Sequence, residues 1–342
     1  MISSNRWTRR QTLGFLAGIA GSAALHACTK SGPNTSASST TLPKLSLGAV
    51  PGWIGYTPLY IALGKGFFKE LGVDVSMVIL GSNPDVRAAF TAGKIDAQTT
   101  VTSETVLQAD SGKAFKIVLV EDNSLGADGI LAKNSIPDVQ SFKGKEIAVE
   151  IGGVSHFFLL QVLKEAGLSD KDVTLINLTP DAAAAAYQSG KVDIAVTYAP
   201  FLSKANDAQK EGRIIYDSSK MPTAITDLYL VDSKYAEANP KAVAAFVQGI
   251  LKGLDFLKTN SEEALAIAAK QLEITPADLE EQLKGVRLVD LPTNKEMLGN
   301  PNSDLYLLNS MKDLVTFLQS QNQIKSTPDM SKYIDPSFVN AL

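Results

Sequence analysis

Ala88-Ala89-Phe90-Thr91-Ala92-Gly93-Lys94-Ile95-Asp96 recurs 97 residues later as Ala185-Ala186-Tyr187-Gln188-Ser189-Gly190-Lys191-Val192-Asp193. One such stretch reads as the end of a helix, a tight turn and the start of a strand. Gly93 and Gly190 sit where a helix terminus needs φ above zero, and the lysine that follows lies near the negative end of the helix. Any αβ turn has something of this character, but nine positions matched in order point to a duplication. The flanks agree. A strand over 45–50 leads through a loop bearing Gly52 and Gly55 into a helix at Leu59. A strand over 146–151 leads through Gly152-Gly153 into a helix at Phe157. Each repeat therefore runs strand, loop, helix, strand, helix, turn, strand.

The same alternation extends across the chain. Strand-like runs fall at 45–50, 73–80, 95–100, 116–120, 146–151, 173–178, 192–197, 213–216 and 228–231. Helical patterns lie between them at 58–71, 85–92, 157–166 and 181–188. Strands alternating with helices of this length predict βαβ units and mixed, mostly parallel sheets. From Pro240 onward the pattern is almost wholly helical, at 242–257, 262–272, 277–283 and 305–318. The fold class is therefore α/β, with two similar lobes and a helical C-terminus. Ligands in open parallel sheets sit beyond the carboxyl ends of the strands, near helix N-termini. Here those ends are the loops 51–56, 100–104, 121–128, 150–156 and 198–201, which should face one cleft.

Residues 1–27 carry Arg6, Arg9, Arg10 and no acid, followed by an apolar run over 13–25 that ends in Leu25-His26-Ala27-Cys28. This pattern predicts an export signal, too short to span a bilayer as a permanent helix. Arg9-Arg10 resembles a twin-arginine signal. The segment ending at Cys28 resembles a lipobox, whose cysteine is lipidated and becomes the first residue. Cys28 is the only cysteine of the 342 residues, so an internal disulfide is excluded. Residues 28–43 read as a flexible tether, poor in large apolar groups. Removal of 1–27 takes the net charge from −4 to −7, since three arginines and no acid leave. No basic cluster remains to neutralise phosphates, which argues against nucleic acid as a partner. The expected location is the periplasm, with the protein held at the membrane through Cys28.

The run Trp53-Ile54-Gly55-Tyr56-Thr57-Pro58-Leu59-Tyr60-Ile61-Ala62, followed by Lys65-Gly66-Phe67-Phe68-Lys69-Glu70, carries a family resemblance. Ala127-Asp128-Gly129-Ile130, Ser155-His156-Phe157-Phe158, Val196-Thr197-Tyr198-Ala199-Pro200 and Thr226-Asp227-Leu228-Tyr229 extend it. The chain resembles the nitrate/sulfonate/taurine group of ABC-importer solute-binding proteins (NMT1/THI5-like), in order over 44–335. The resemblance implies a type II periplasmic-binding fold. One lobe would hold 44–132 and 228–342, the other 135–225, joined by a two-strand hinge near Ile130 and Leu230. It also implies that a small-molecule solute closes the lobes and that a membrane permease of the ABC type reads the closed form. A monomer is expected. A similar fold serves the yeast-type pyrimidine synthase, but that enzyme depends on a cysteine cluster this chain lacks. His156 is the only histidine of the mature chain, and no GxSxG, HExxH or P-loop pattern occurs, so neither catalysis, a cofactor nor a histidine-rich metal site is expected.

The cleft loops contain no Lys or Arg, but they do contain Glu104, Glu121, Asp122, Asp128 and Glu150, with Asp227 nearby. Trp53, Tyr56, Phe157, Tyr198, Phe201 and Tyr229 supply aromatic faces. Carboxylates beside aromatic faces suit a small cation, through charge-assisted hydrogen bonds and cation–π contact. A planar guanidinium stacked on Trp53 would use both, so an amine or amidine such as guanidine is the first expectation. The ligand-binding set is Trp53, Tyr56, Glu104, Asp128, Glu150, His156, Tyr198 and Asp227. Plainer roles compete. Glu104 could complement a helix dipole, Glu150 could pair with a surface lysine, His156 could cap its helix, and Trp53 and Tyr56 could fill the core. Two other functions remain open. One is capture of taurine, an alkanesulfonate or another small anion such as nitrate, with Asp227 at the position where the resemblance places an acid for an amine. The other is an exported sensor lipoprotein without a transport role.

Overall fold

In each repeat, the helix carrying the repeated motif ends in the same hydrogen-bonded turn. Gly93 N–H donates to Phe90 O and Lys94 N–H to Ala89 O; Gly190 N–H donates to Tyr187 O and Lys191 N–H to Ala186 O. This is a Schellman closure, made twice, with φ of 67° at Gly93 and 71° at Gly190. Phe90 and Tyr187, the matched aromatics, are both fully buried. The computed structural model describes residues 41–342. The export signal, Cys28 and nearly all of the tether fall outside the described residues.

The strands are β1 (Lys44–Ala49), β2 (Asp74–Ile79), β3 (Ala97–Val101), β4 (Phe115–Ser124), β5 (Asp128–Lys133), β6 (Glu146–Val149), β7 (Thr174–Asn177), β8 (Ile194–Tyr198), β9 (Gly212–Asp217), β10 (Thr226–Asp232) and β11 (Val286–Leu288). They form two sheets, ordered β2-β1-β3-β10-β4-β11 and β7-β6-β8-β5-β9. The duplication is visible in this order. β2-β1-β3 and β7-β6-β8 are parallel trios built from the two repeats. β10 and β5 occupy the same place in each sheet and run antiparallel to both of their neighbours. Each of these two arrives from the other lobe without a helical crossover, and a crossover is what parallel pairing requires. The sheets are thus parallel in the repeats and antiparallel beyond them.

The lobe boundary differs from the expectation on one side. The first crossing was expected at 132–135, but β5 pairs in the second sheet, so the chain crosses at 125–127. It returns over 218–225, just before β10. The strands near Ile130 and Leu230 lie inside the sheets, and the connecting segments cross between them. The short β11 interrupts the helical finish and adds an edge to β4.

In the first lobe α1 (Thr57–Lys65), α2 (Phe67–Glu70), α3 (Asn83–Thr91) and α4 (Thr102–Asp110) connect the strands. The second lobe uses α5 (Val154–Glu165), α6 (Pro180–Gln188) and α7 (Phe201–Ala208). A single helix over 58–71 was expected, but Gly66 in the left-handed region separates α1 from α2. After α8 (Ser233–Ala238), the 20-residue α9 (Pro240–Thr259) covers the first lobe. Its Phe246 stacks on Phe68 of α2, ring centroids 5.7 Å apart, joining the C-terminal helices to the repeat. Among the described residues no helix is long and apolar enough to cross a membrane.

Candidate functional site

A β-bulge sets the chemistry of the cleft. In the β4–β10 pairing Asp227 faces Asp122, yet Leu228 faces Val120, so Glu121 is the extra residue. A bulge places two consecutive side chains on nearly the same side of a strand. As a result one oxygen each of Glu121, Asp122 and Asp227 lies within 4.8 Å of the others. All three residues are buried, as are Glu104, Asp128 and Glu150. Each of the six has one carboxylate oxygen with no hydrogen-bond partner.

The other oxygens are partly satisfied. Trp53, in the loop after β1, donates Nε1–H to Asp122 Oδ2 at 3.1 Å. The contact depends on Gly55, where a Cβ would lie 2.0 Å from that oxygen and 2.2 Å from the indole nitrogen. Tyr229 donates its hydroxyl to Glu121 Oε1 at 2.5 Å, and the Tyr56 and Thr99 hydroxyls share a bond of 2.6 Å. Tyr198, from the second lobe, meets Trp53 edge-on with centroids 5.7 Å apart, and Phe201 follows behind Tyr198 at 5.8 Å. This aromatic wall spans both lobes.

In this cleft lies a small cavity of about 20 Å³, bordered by Trp53, Tyr56, Asp128, Tyr198 and Asp227. Room for the centre of a water takes about 10–15 Å³, so this space holds one or two waters' worth of atoms in the closed form. Five of the eight expected residues therefore border it. Glu104 and Glu150 sit beside it toward the rim between α3, α4 and α5. His156 lies on α5, where its Nδ1 accepts the Gly152 N–H at 3.3 Å; it orients the start of its own helix.

Asn83, Thr100, Val154 and Ile225 also border the cavity and were not in the expected set. Asn83 follows β2, and the same strand-end rule that selected the other loops selects 80–83 too. Asp122 was legible only as one of two adjacent acids. Which of them would turn inward depends on a bulge that no local signal marks.

Little positive charge balances these carboxyls. Among the described residues the one basic group within ion-pair distance of any of the six is Arg87, with Nη1 at 4.0 Å from Glu104 Oε2. Burial pushes Glu104 up to about 8, against the pull of Arg87. Burial pushes Asp122 up to about 8 as well, and Asp128 to about 7. Glu121 is raised well above the ordinary range by burial and by Asp122, and Asp227 by burial, Asp122 and Glu121. Burial also raises Glu150 and lowers His156. Like charges out of water suppress one another's ionisation. The three clustered acids offer only oxygen ligands, which suits a hard cation such as Ca2+ or Mg2+, yet supply about half of the six to eight oxygens Ca2+ takes. The aromatic walls favour an organic cation.

A family model described as NMT1/THI5 like matches residues 53–264. A Bacillus subtilis (strain 168) protein named for binding aliphatic sulfonates is 30% identical over 83% of this chain and 84% of its own. The taurine-binding periplasmic protein of Escherichia coli (strain K12) is 25% identical over 80% of this chain and 86% of its own. Among solved structures, the alkanesulfonate-binding protein of Xanthomonas axonopodis pv. citri bound to MOPS superposes with a TM-score of 0.72. That match covers 87% of this chain and 100% of that one at 19% identity, a likeness of fold. With its duplicated lobes, its acid-lined cleft and these matches, the chain belongs to the NMT1/THI5-like family of solute-binding proteins that serve ABC importers.

Proposed function

We propose that this protein captures a small organic cation, an amine or amidine such as guanidine, and presents it to a membrane permease. One observation carries the reading: six buried carboxyls, each with a free oxygen, gather in the cleft, and two of them, Asp128 and Asp227, border its small cavity. Burying an ionised carboxylate without a partner is costly, and a cation brought into the cleft removes that cost. Asp227, Asp122 and Asp128 would accept its N–H groups, with Trp53, Tyr56 and Tyr198 against its faces. Guanidinium has four heavy atoms. At a ceiling of about 1.5 kcal/mol per atom its affinity stops near 6 kcal/mol, a dissociation constant of roughly tens of micromolar.

A second reading rests on Ser155, whose buried hydroxyl has no partner and which lies in the first turn of α5. Together with backbone N–H groups it could hold a sulfonate while Asp227 takes an amine, as in a taurine-like ligand. Two relatives carry names of that class. Taurine has seven heavy atoms against four for guanidinium; both need a wider cleft than this cavity of about 20 Å³, and taurine the more.

A thermal-shift panel of guanidine, methylguanidine, agmatine, taurine, ethanesulfonate and nitrate separates the two. Guanidinium should raise the melting temperature and the sulfonates leave it in place. Stabilisation by sulfonates or nitrate, with no response to the cations, overturns the first reading. Export and lipidation at Cys28 belong to the same proposal. Cys28→Ala should move the protein from the membrane fraction to the soluble one, and retention on the membrane would refute the anchor.

A further inference from the structure

The rim of the cleft, where the β2–α3 loop of one lobe meets the β6–α5 loop of the other, holds contacts that no ligand is needed to explain. Asn83, the first residue of α3, donates Nδ2–H across the gap to Glu150 Oε2 at 2.9 Å, and both groups are buried. One turn further along α3, Arg87 donates Nη1–H to the carbonyl of Gly152 in the second lobe at 3.1 Å. The same nitrogen stands 4.0 Å from Glu104 Oε2. The loops touch closely enough that a Cβ on Gly152 would meet Arg87 Nη2 at 3.8 Å and Pro84 Cγ at 3.9 Å.

The arrangement is reciprocal. Glu150, from the second lobe, lies at the N-terminal end of α3 in the first. Glu104, from the first lobe, faces the Val154 N–H at the N-terminal end of α5 in the second, which favours its charged form. Each lobe thus presents a carboxylate to the positive end of a helix in the other. The side-chain partner of Glu150, Asn83, lies on the opposite lobe, whereas Glu104 also keeps Thr100 and Arg87 of its own lobe beside it.

We infer that Asn83 and Arg87 are positioning residues that latch the two lobes together, by reaching across the cleft to Glu150 and Gly152. The inference rests on the reading of the protein as a clamp around a solute. Bonds made only in the closed form stabilise that form alone, so they raise the apparent affinity for anything enclosed, whatever its charge. The latch is therefore separable from the question of which ligand the inner carboxylates select.

The test uses the full-length protein, with Arg87→Ala, Arg87→Lys and Asn83→Ala beside wild type. Calorimetric titration is done with guanidinium and with taurine, and small-angle X-ray scattering with and without each. Arg87 does not border the cavity, so its variant is read by affinity. Arg87→Ala should weaken whichever probe binds wild type roughly tenfold, the worth of about one net hydrogen bond to a charged group, and Arg87→Lys should recover part of it. Asn83 borders the cavity, so its variant is read by shape: a larger radius of gyration than wild type, with an unchanged far-UV spectrum. A probe that binds wild type and Arg87→Ala equally, with all radii alike, overturns the latch and leaves the solute reading standing. If neither probe binds wild type, the solute reading fails and scattering without ligand decides the latch. More extended variants uphold it, and identical shapes overturn it.

Discussion

Trp53 and Asp122 show how far single residues could be read. Trp53 stands in a strand-end loop before a helix and was legible as a cleft residue. Its partner was legible only as one of two adjacent cleft acids, because the bulge at Glu121 belongs to the pairing of two strands more than 100 positions apart in the chain. The pair can be tested from either side. Asp122→Asn keeps the shape and removes the charge. It should weaken guanidinium roughly ten- to hundredfold, because a hydrogen bond to a charged group contributes about 1.5–3 kcal/mol. It should also raise the melting temperature of the unliganded protein at alkaline pH, where the wild-type carboxylate would be charged while buried. Gly55→Ala puts a methyl where it would lie 2.0 Å from Asp122 Oδ2. Crowding of that order costs about 1–3 kcal/mol and should separate the indole from the carboxylate, abolishing binding in calorimetry. Wild-type affinity in Gly55→Ala would mean that the Trp53–Asp122 bond plays no part.

At the scale of elements, most of the body could be read from hydrophobic alternation, and the repeat supplied the order of its strands. What escaped notice was partly non-local. β11 is three residues long and exists because the edge of β4 accepts it, a partner that no window of sequence contains. The break at Gly66 falls in Gly64-Lys65-Gly66, a helix-end signal between two apolar runs that the span 58–71, read as one helix, passes over. The two Schellman closures give the duplication an energetic test. Gly93 and Gly190 hold φ of 67° and 71°, a region where a Cβ costs about 1 kcal/mol. Gly93→Ala and Gly190→Ala should each lower stability by about that amount in urea unfolding, equally, with ligand affinity unchanged. A loss at one position and none at the other would show that the matched turns are not equivalent.

For the whole molecule, the cleft acids couple ligand, protons and stability, and the sign can be worked out. Asp128 is raised to about 7 and Asp122 and Glu104 to about 8. A carboxyl whose folded value lies above its unfolded value holds more protons when folded, so its contribution is fully present below the unfolded value. That contribution is lost as pH rises through the folded one. The unliganded protein should therefore lose stability between pH about 5 and about 9. Surface acids such as Asp232, Asp290 and Asp329 are lowered by hydrogen bonds and lysines. Their contribution is lost only as pH falls below the ordinary carboxylate range, so they do not mask the effect. An organic cation needs the cleft carboxyls ionised, so its binding should expel protons and tighten across the same window. The rise in melting temperature with saturating guanidinium should then be largest near pH 8–9 and fade toward pH 5. A sulfonate would behave in the opposite way, since protonated acids repel it less. Melting curves at a series of pH values thus distinguish the two ligand classes by slope as well as by size. A guanidinium shift that is flat, or that grows as pH falls, would mean that the six carboxyls are not what holds the ligand.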